Sequence, residues 1–206
     1  AWRAIMQALP RDAIISSDIG NNCAIGNAYP SFEKGRKYLA PGLFGPCGYG
    51  LPSIVGAKIA CPDVPVVGFA GDGAFGIAVN ELTAIGRPEW PPITQIVFRN
   101  YQWGAEKRNS TLWYDDNFVG TELDEDVSYA GIAQACGLKG VVVRTMDELT
   151  AALNEAIRDQ MENNTTTLIE ALINQELGEP FRRDAMKKPV EVAGIDPADM
   201  RPQKGA

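Results

Sequence analysis

The stretch "GFAGDGAFGIAVNELTAIG", residues 68–86, sets one carboxylate, Asp72, between Gly71 and Gly73 where an apolar run gives way to a helical one. A second short run, "RNYQWGA" at 99–105, closes another apolar segment with Asn100, Gln102, Gly104 and Ala105, and a third, "SDIGNN" at 17–22, does the same with Gly20, Asn21 and Asn22. Small residues at strand ends let backbone N–H groups come close to a phosphate, and a helix opening there favours an anion. Asp72 is itself an anion, so it sits beside a phosphate only if a divalent cation lies between them. Mg²⁺ suits such a set, taking a carboxylate, one or two neutral oxygens, phosphate oxygens and water. Asp72, the Asn100 amide and the Gln102 carbonyl offer that chemistry. A tight turn is the competing reading of G-D-G taken alone. The sequence has no P-loop pattern, and "GPCGYG" (45–50) matches a dinucleotide fingerprint only in spacing, with no clear strand before it.

These residues need a frame. The runs 13–18, 64–70, 93–100, 140–145 and 166–173 are nearly continuous in apolar residues, as strands covered on both faces must be. Between them 51–60, 75–86, 127–137 and 146–163 read as helices, the last with Leu149, Leu153, Ile157 and Met161 on one predicted face. Strands alternating with helices predict an α/β fold: a mainly parallel sheet with helices on both faces. Residues 19–50 and 101–125 are expected to be long functional loops. The predicted organisation is one domain over 1–175 and a Pro-punctuated tail over 176–206.

Bulk properties narrow the function. The chain has 206 residues and a formal net charge of −7, which argues against a nucleic-acid partner. No apolar run reaches the roughly 20 residues that span a bilayer. "AWRAIMQALP" reads as an amphipathic helix rather than a signal peptide, and without an initiator Met the chain is expected to be a piece of a longer protein. Four scattered cysteines, without metal or disulfide spacing, predict a cytoplasmic setting. There is no histidine, which excludes Ser-His-Asp and Cys-His catalysis by this chain alone.

GDG followed by Asn100 at the end of the next strand, with "SDIGNN", "GPCGYGLPSIVGAKIACPD" and "QWGA" in the same order, resembles the diphosphate-binding domain of the thiamine-diphosphate-dependent, acetolactate-synthase-like superfamily. The resemblance covers roughly residues 1–175. It implies the thiamine-diphosphate-binding fold with thiamine diphosphate and Mg²⁺ as cofactors. Asp72, Asn100 and the Gln102 carbonyl then match the metal ligands; where relatives carry Asn-Asn, this chain has Arg99-Asn100. Gly20, Asn21, Asn22, Gly73, Ala74, Gly104 and Ala105 match positions that hold the diphosphate. The Gly45 carbonyl matches the acceptor for the aminopyrimidine, and Cys47 the residue that props the bent cofactor, with a small buried hydrophobe as its plainer reading. The activating glutamate of such enzymes comes from another domain, usually of a partner subunit. No catalytic residue is therefore assigned here: Glu81 reads as a polar helix residue, and the chain alone is expected to be inactive. Remaining domains of a parent enzyme and a homo-oligomer are the implied partners.

Within that superfamily, "NYQWGAEKRN" (100–109), "FEKGRKYLAPGLFGPCGYG" (32–50) and "ELGEPFRRDAMKKPV" (176–190) resemble the sulfoacetaldehyde acetyltransferases. These convert sulfoacetaldehyde and phosphate to sulfite and acetyl phosphate. Lys107 and Arg108, and Arg182 and Arg183 in the tail, are the candidates for binding these anionic small molecules. The alternatives are an acetolactate synthase or another carboligase or decarboxylase of the superfamily and, from a different class, a non-catalytic interaction domain.

Overall fold

Five apolar runs of the sequence become strands lying side by side. The computed structural model describes residues 1–32 and 37–175. In chain order the elements are α1 (Trp2–Ala8), β1 (Ile14–Ser17), α2 (Asn21–Gly26), β2 (Tyr38–Leu39), α3 (Gly50–Ala60), β3 (Val66–Gly71), α4 (Asp72–Ala78), a 3-10 turn (Val79–Glu81), α5 (Leu82–Ile85), β4 (Thr94–Arg99), α6 (Gly104–Trp113), α7 (Tyr129–Ala135), β5 (Lys139–Val143), α8 (Met146–Glu162) and β6 (Thr167–Leu172). The strands form one parallel sheet in the order β2-β1-β3-β4-β6-β5. The α/β expectation holds. The proposed tail, with Arg182 and Arg183, lies outside the described residues.

Side-chain alternation sends each strand's apolar residues to both faces. On one, Val66, Ala70 and Val97 pack with Leu51, Ile54, Phe75, Leu82, Tyr129 and Ala133, from α3, α4, α5 and α7. On the other, Val67, Phe69, Ile96 and Phe98 meet Trp2 and Ile5 of α1 and Leu149, Leu153 and Ala156 of α8. Each fully buried Leu, Ile or Phe contributes about 1.5–3 kcal/mol, so these two layers dominate the stabilisation.

Helix α8 corrects one expectation. Its buried row is Leu149, Leu153, Ala156 and Gln160, whereas Met161 is exposed. Residues four apart advance 400° around a helix, so a strict i, i+4 row drifts off the buried face, and a step of three restores it. Gln160 is buried because its amide accepts from the Val66 N–H (2.8 Å) and donates to the Val66 carbonyl (2.8 Å) and Thr94 Oγ1 (3.0 Å).

The topology sets the place of the site. From β1 the chain moves outward to β2; from β3 it moves the opposite way to β4. The β1–β3 boundary is therefore the switch point of the sheet, and in open α/β sheets ligands bind beyond the strand carboxyl ends there. Two stretches expected to be loops hold helices, α2 and α6, and both start at that same edge.

Candidate functional site

At the end of β3 the chain turns into α4 on Asp72, which is buried at 1% exposure. Its two carboxylate oxygens have different surroundings. Oδ2 accepts from the N–H of Tyr101 (2.7 Å), the N–H of Asn100 (3.0 Å) and Arg99 Nη1 (3.2 Å). Oδ1 accepts from the N–H of Gly73 (3.0 Å). Tyr101 takes a left-handed φ of 60°, and this turn aims both backbone donors of the β4 end back at Asp72. Burial pushes the Asp72 carboxyl up from the usual range, opposed by the Tyr101 N–H, then Arg99, then the Gly73 and Asn100 N–H groups.

One edge of the Asn100 amide lies 3.2 Å from Asp72 Oδ1 and 3.1 Å from the Gln102 carbonyl oxygen. With its nitrogen on that edge, the amide donates to both. With its oxygen there, three oxygens face one another and need a cation between them. Octahedral Mg²⁺ at 2.0–2.1 Å sets neighbouring ligand oxygens about 3 Å apart, and the two separations from the Asn100 amide edge match that spacing. The donor set is one carboxylate, one amide and one backbone carbonyl: hard oxygen ligands that fit Mg²⁺. The structure thus brings together Asp72, Asn100 and the Gln102 carbonyl.

Beside the triangle the first turns of α2, α4 and α6 converge. A Cβ on Gly104 would come 3.3 Å from Asn21 Nδ2 and 3.4 Å from Asn100 Nδ2; one on Gly71 would lie 3.5 Å from Asn22 Oδ1. A Cβ on Gly73 would stand 2.8 Å from the Trp103 ring, so that glycine is what lets the indole lie against the loop. Ala74 is buried behind it. Helix N-termini and small residues favour an anion here. Asn22 is committed inward, donating to Ser17 Oγ (3.2 Å) and the Asp18 carbonyl (3.1 Å), while the Asn21 amide oxygen has no partner among the described residues. Gly20, at φ 120°, makes the turn from β1 into α2.

The 45–50 segment forms another wall. Gly45 and Gly48 have φ of 55° and 82°, and Gly45 packs on Ile19. Cys47 is exposed rather than buried, so its plainer reading as a buried hydrophobe fails. Leu43 and Phe44 are 98% and 96% exposed. Lys107 pairs with Glu122 and lies 5.1 Å from the Phe118 ring, while Arg108 keeps a buried Nε with no partner among the described residues. Ala105 follows Gly104 in the first turn of α6. Glu81 stands in the exposed 3-10 turn, its carboxylate taken by Asn80 Nδ2 (3.1 Å).

Sequence reasoning missed Asp18 and Arg99. Asp18 is buried and ties the 48–50 turn to β1: Oδ1 accepts from Ile19 and Gly48 N–H (2.9 and 3.1 Å) and Oδ2 from Gly50 N–H (2.8 Å). Arg99, 1% exposed, reaches Asp72 and lies 3.5 Å from Glu170 Oε1, and its guanidinium donates to the carbonyls of Asp124 and Val127. Its guanidinium carbon stands 4.4 Å from the Tyr101 ring centre and 5.1 Å from that of Tyr129. The available signal was a pair of opposite charges inside otherwise apolar strands, "ITQIVFRN" and "TTLIEALI".

Residues 18–171 match the family described as thiamine pyrophosphate enzyme, C-terminal TPP binding domain. The chain belongs to this family. Among curated relatives of this thiamine pyrophosphate enzyme domain, the sulfoacetaldehyde acetyltransferase of Roseovarius nubinhibens is 85% identical over 99% of the chain, and that of Rhodobacter capsulatus 83% over 98%. The chain spans about a third of their length, 34% of each. Among solved structures, the thiamine diphosphate-dependent 4-hydroxybenzoylformate decarboxylase of Rhodococcus jostii RHA1 superposes with a TM-score of 0.76 over 86% of this chain and 32% of its own, at 24% identity. That likeness carries the fold alone. Among the described residues no helix is long and apolar enough to cross a membrane.

Proposed function

We propose that this chain is the cofactor-binding C-terminal third of a thiamine-diphosphate- and Mg²⁺-dependent sulfoacetaldehyde acetyltransferase, converting sulfoacetaldehyde and phosphate to sulfite and acetyl phosphate. The observation that carries the reading is the 85% identity, over nearly the whole chain, to a protein of that name. In this reading Asp72 Oδ1, the Asn100 amide oxygen and the Gln102 carbonyl hold Mg²⁺. Gly20, Asn21, Asn22, Gly73, Ala74, Gly104 and Ala105 line the diphosphate, and the three helix N-termini orient it. Gly45 and Cys47 face the aminopyrimidine side. Thiamine diphosphate, when bound, supplies the nucleophilic carbon and electron sink for carbonyl chemistry.

The chain's own residues bind and orient. No group in it is assigned a proton transfer, which falls to a glutamate of another domain. An assembly of at least two subunits, in the cytoplasm, is part of the same proposal, as is an inactive isolated chain. Arg108, whose buried Nε is free of partners among the described residues, is a better candidate for the sulfonate or phosphate than Lys107, which Glu122 already engages.

The test uses the intact enzyme with thiamine diphosphate, Mg²⁺, phosphate and sulfoacetaldehyde, assaying sulfite and acetyl phosphate. Both products should form, and both should vanish in Asp72→Ala. Consumption of pyruvate without sulfite release from sulfoacetaldehyde would move the chain to the acetolactate synthases.

A further inference from the structure

The Mg²⁺ ligand set proposed above contains a single carboxylate, and that carboxylate already has a cation. Arg99 is buried, its Nη1 sits 3.2 Å from Asp72 Oδ2, and it cannot lose its proton. Its other nitrogens face Glu170 and two backbone carbonyls, and two tyrosine rings flank it, so the guanidinium is held in place from every side. Oδ2 is consumed by Arg99 and the N–H groups of Asn100 and Tyr101; Oδ1 faces the Asn100 side-chain amide, which also faces the Gln102 carbonyl.

Two consequences follow. The carboxylate is locked in one orientation, offering a single oxygen whatever else is bound. Its charge is also partly neutralised, since a fixed cation lies one carboxylate away from where a second cation would sit. Glu170 draws part of that positive charge away, and is itself held by Ser128 Oγ and the Ala130 N–H, each at 2.9 Å. A carboxylate whose charge is partly offset, with an amide and a carbonyl, attracts bare Mg²⁺ less than an unopposed carboxylate would. The negative charge that would hold the metal must come with the ligand.

We propose that Arg99 is a positioning residue and built-in counter-charge: it holds Asp72 ready as a one-oxygen ligand while suppressing its affinity for free Mg²⁺, so that the metal is retained only together with a diphosphate. The inference rests on the cation reading of the Asp72–Asn100–Gln102 triangle. A merely structural Arg99 predicts the reverse sign, because loosening the site can only weaken metal binding.

Calorimetry on the intact enzyme decides it, titrating Mg²⁺ alone and then thiamine diphosphate at saturating Mg²⁺. Arg99→Met/Glu170→Gln removes the guanidinium without stranding Glu170 as a buried charge. It should bind Mg²⁺ alone at least tenfold tighter than the wild type. Arg99→Lys keeps the charge and should stay within about threefold of wild type. Should the double variant fail to fold, Glu170→Gln gives an independent reading. There Arg99 acts on Asp72 alone, and the Mg²⁺ concentration that half-saturates cofactor binding should rise at least threefold. A folded double variant that binds Mg²⁺ no tighter than wild type, or a Glu170→Gln variant with an unchanged Mg²⁺ requirement, overturns the proposal while leaving the cation site standing. A wild type whose thiamine diphosphate binding ignores Mg²⁺ removes the cation site, and this inference with it.

Discussion

The corner around Asp72 and the loop at 41–50 flank the same strand ends but are built on opposite terms. At the corner, two carboxylates and a guanidinium are buried to 3% exposure or less and answer one another, with backbone donors and acceptors completing the set. In the loop, the inner end is tied down through Asp18, while Leu43 and Phe44 at the outer end stand almost wholly in water. Burying each of those two side chains is worth about 1.5–3 kcal/mol, and the described residues leave that gain unrealised. Among the described residues one wall is finished, and the other leaves apolar surface uncovered.

The largest effect expected from breaking this contrast is at the corner. Asp72→Ala leaves Arg99 with the longer Glu170 contact as its only carboxylate among the described residues. It should cost about 3 kcal/mol in urea unfolding, the scale of a buried pair losing one partner, and abolish measurable Mg²⁺-dependent cofactor binding.

Next is Asp18→Asn, which turns an amide NH2 towards N–H groups that a carboxylate satisfies, at a cost of about 2 kcal/mol. Its pH dependence has a definite sign. Burial raises the Asp18 carboxyl above its ordinary value of 3.8 despite the Gly50, Ile19, Gly48 and Tyr49 backbone donors. The folded state therefore holds that proton more tightly than the unfolded state. The wild type's advantage over Asp18→Asn is greatest below pH 3.8, shrinks as pH rises through the raised value, and is flat by neutrality. Unfolding curves for both proteins from pH 3.5 to 7 check this.

Gly73→Ala should cost about 1–2 kcal/mol by pushing the Trp103 indole off the loop, read as a lower Tm with a shifted tryptophan emission. The smallest effect on stability belongs to the loop. Leu43→Ser with Phe44→Ser should move unfolding by less than about 0.5 kcal/mol, yet weaken the subunit association proposed above in sedimentation runs, because nothing among the described residues covers these side chains. A large stability loss there would erase the contrast.

The two walls were also unequally legible. Strands β1, β3, β4, β5 and β6 announced themselves because a strand covered on both faces must be apolar throughout. That Asp72, Asn100 and Gln102 stand at neighbouring strand ends was legible from the apolar runs before them, since strands that pair in register bring their loops together. Their assignment as the ligand set came from the family resemblance. Helices α2 ("NNCAIG") and α6 ("GAEKRNSTLW") were hidden because they lack an apolar stripe; the turns at the strand ends, rather than a buried face, position them. The 3-10 break at Val79–Glu81 had no signal in a run that reads as one helix. Asp18 was invisible because its partners are backbone N–H groups 30 and 32 residues away. Arg99 and Glu170 meet only because β6 inserts beside β4, pairing Val97 with Glu170 and Arg99 with Leu172, a neighbour relation that no local pattern encodes.

That insertion has a consequence for synthesis. Strand β6 comes after β5 in the chain yet wedges between β5 and β4. As the protein leaves the ribosome, β1, β3 and β4 can associate early, but Arg99 has no Glu170 until the segment from Thr167 to Leu172 emerges. The corner is thus completed by the last of the described strands, and a nascent chain interrupted before Thr167 carries a guanidinium with Asp72 but without its second carboxylate.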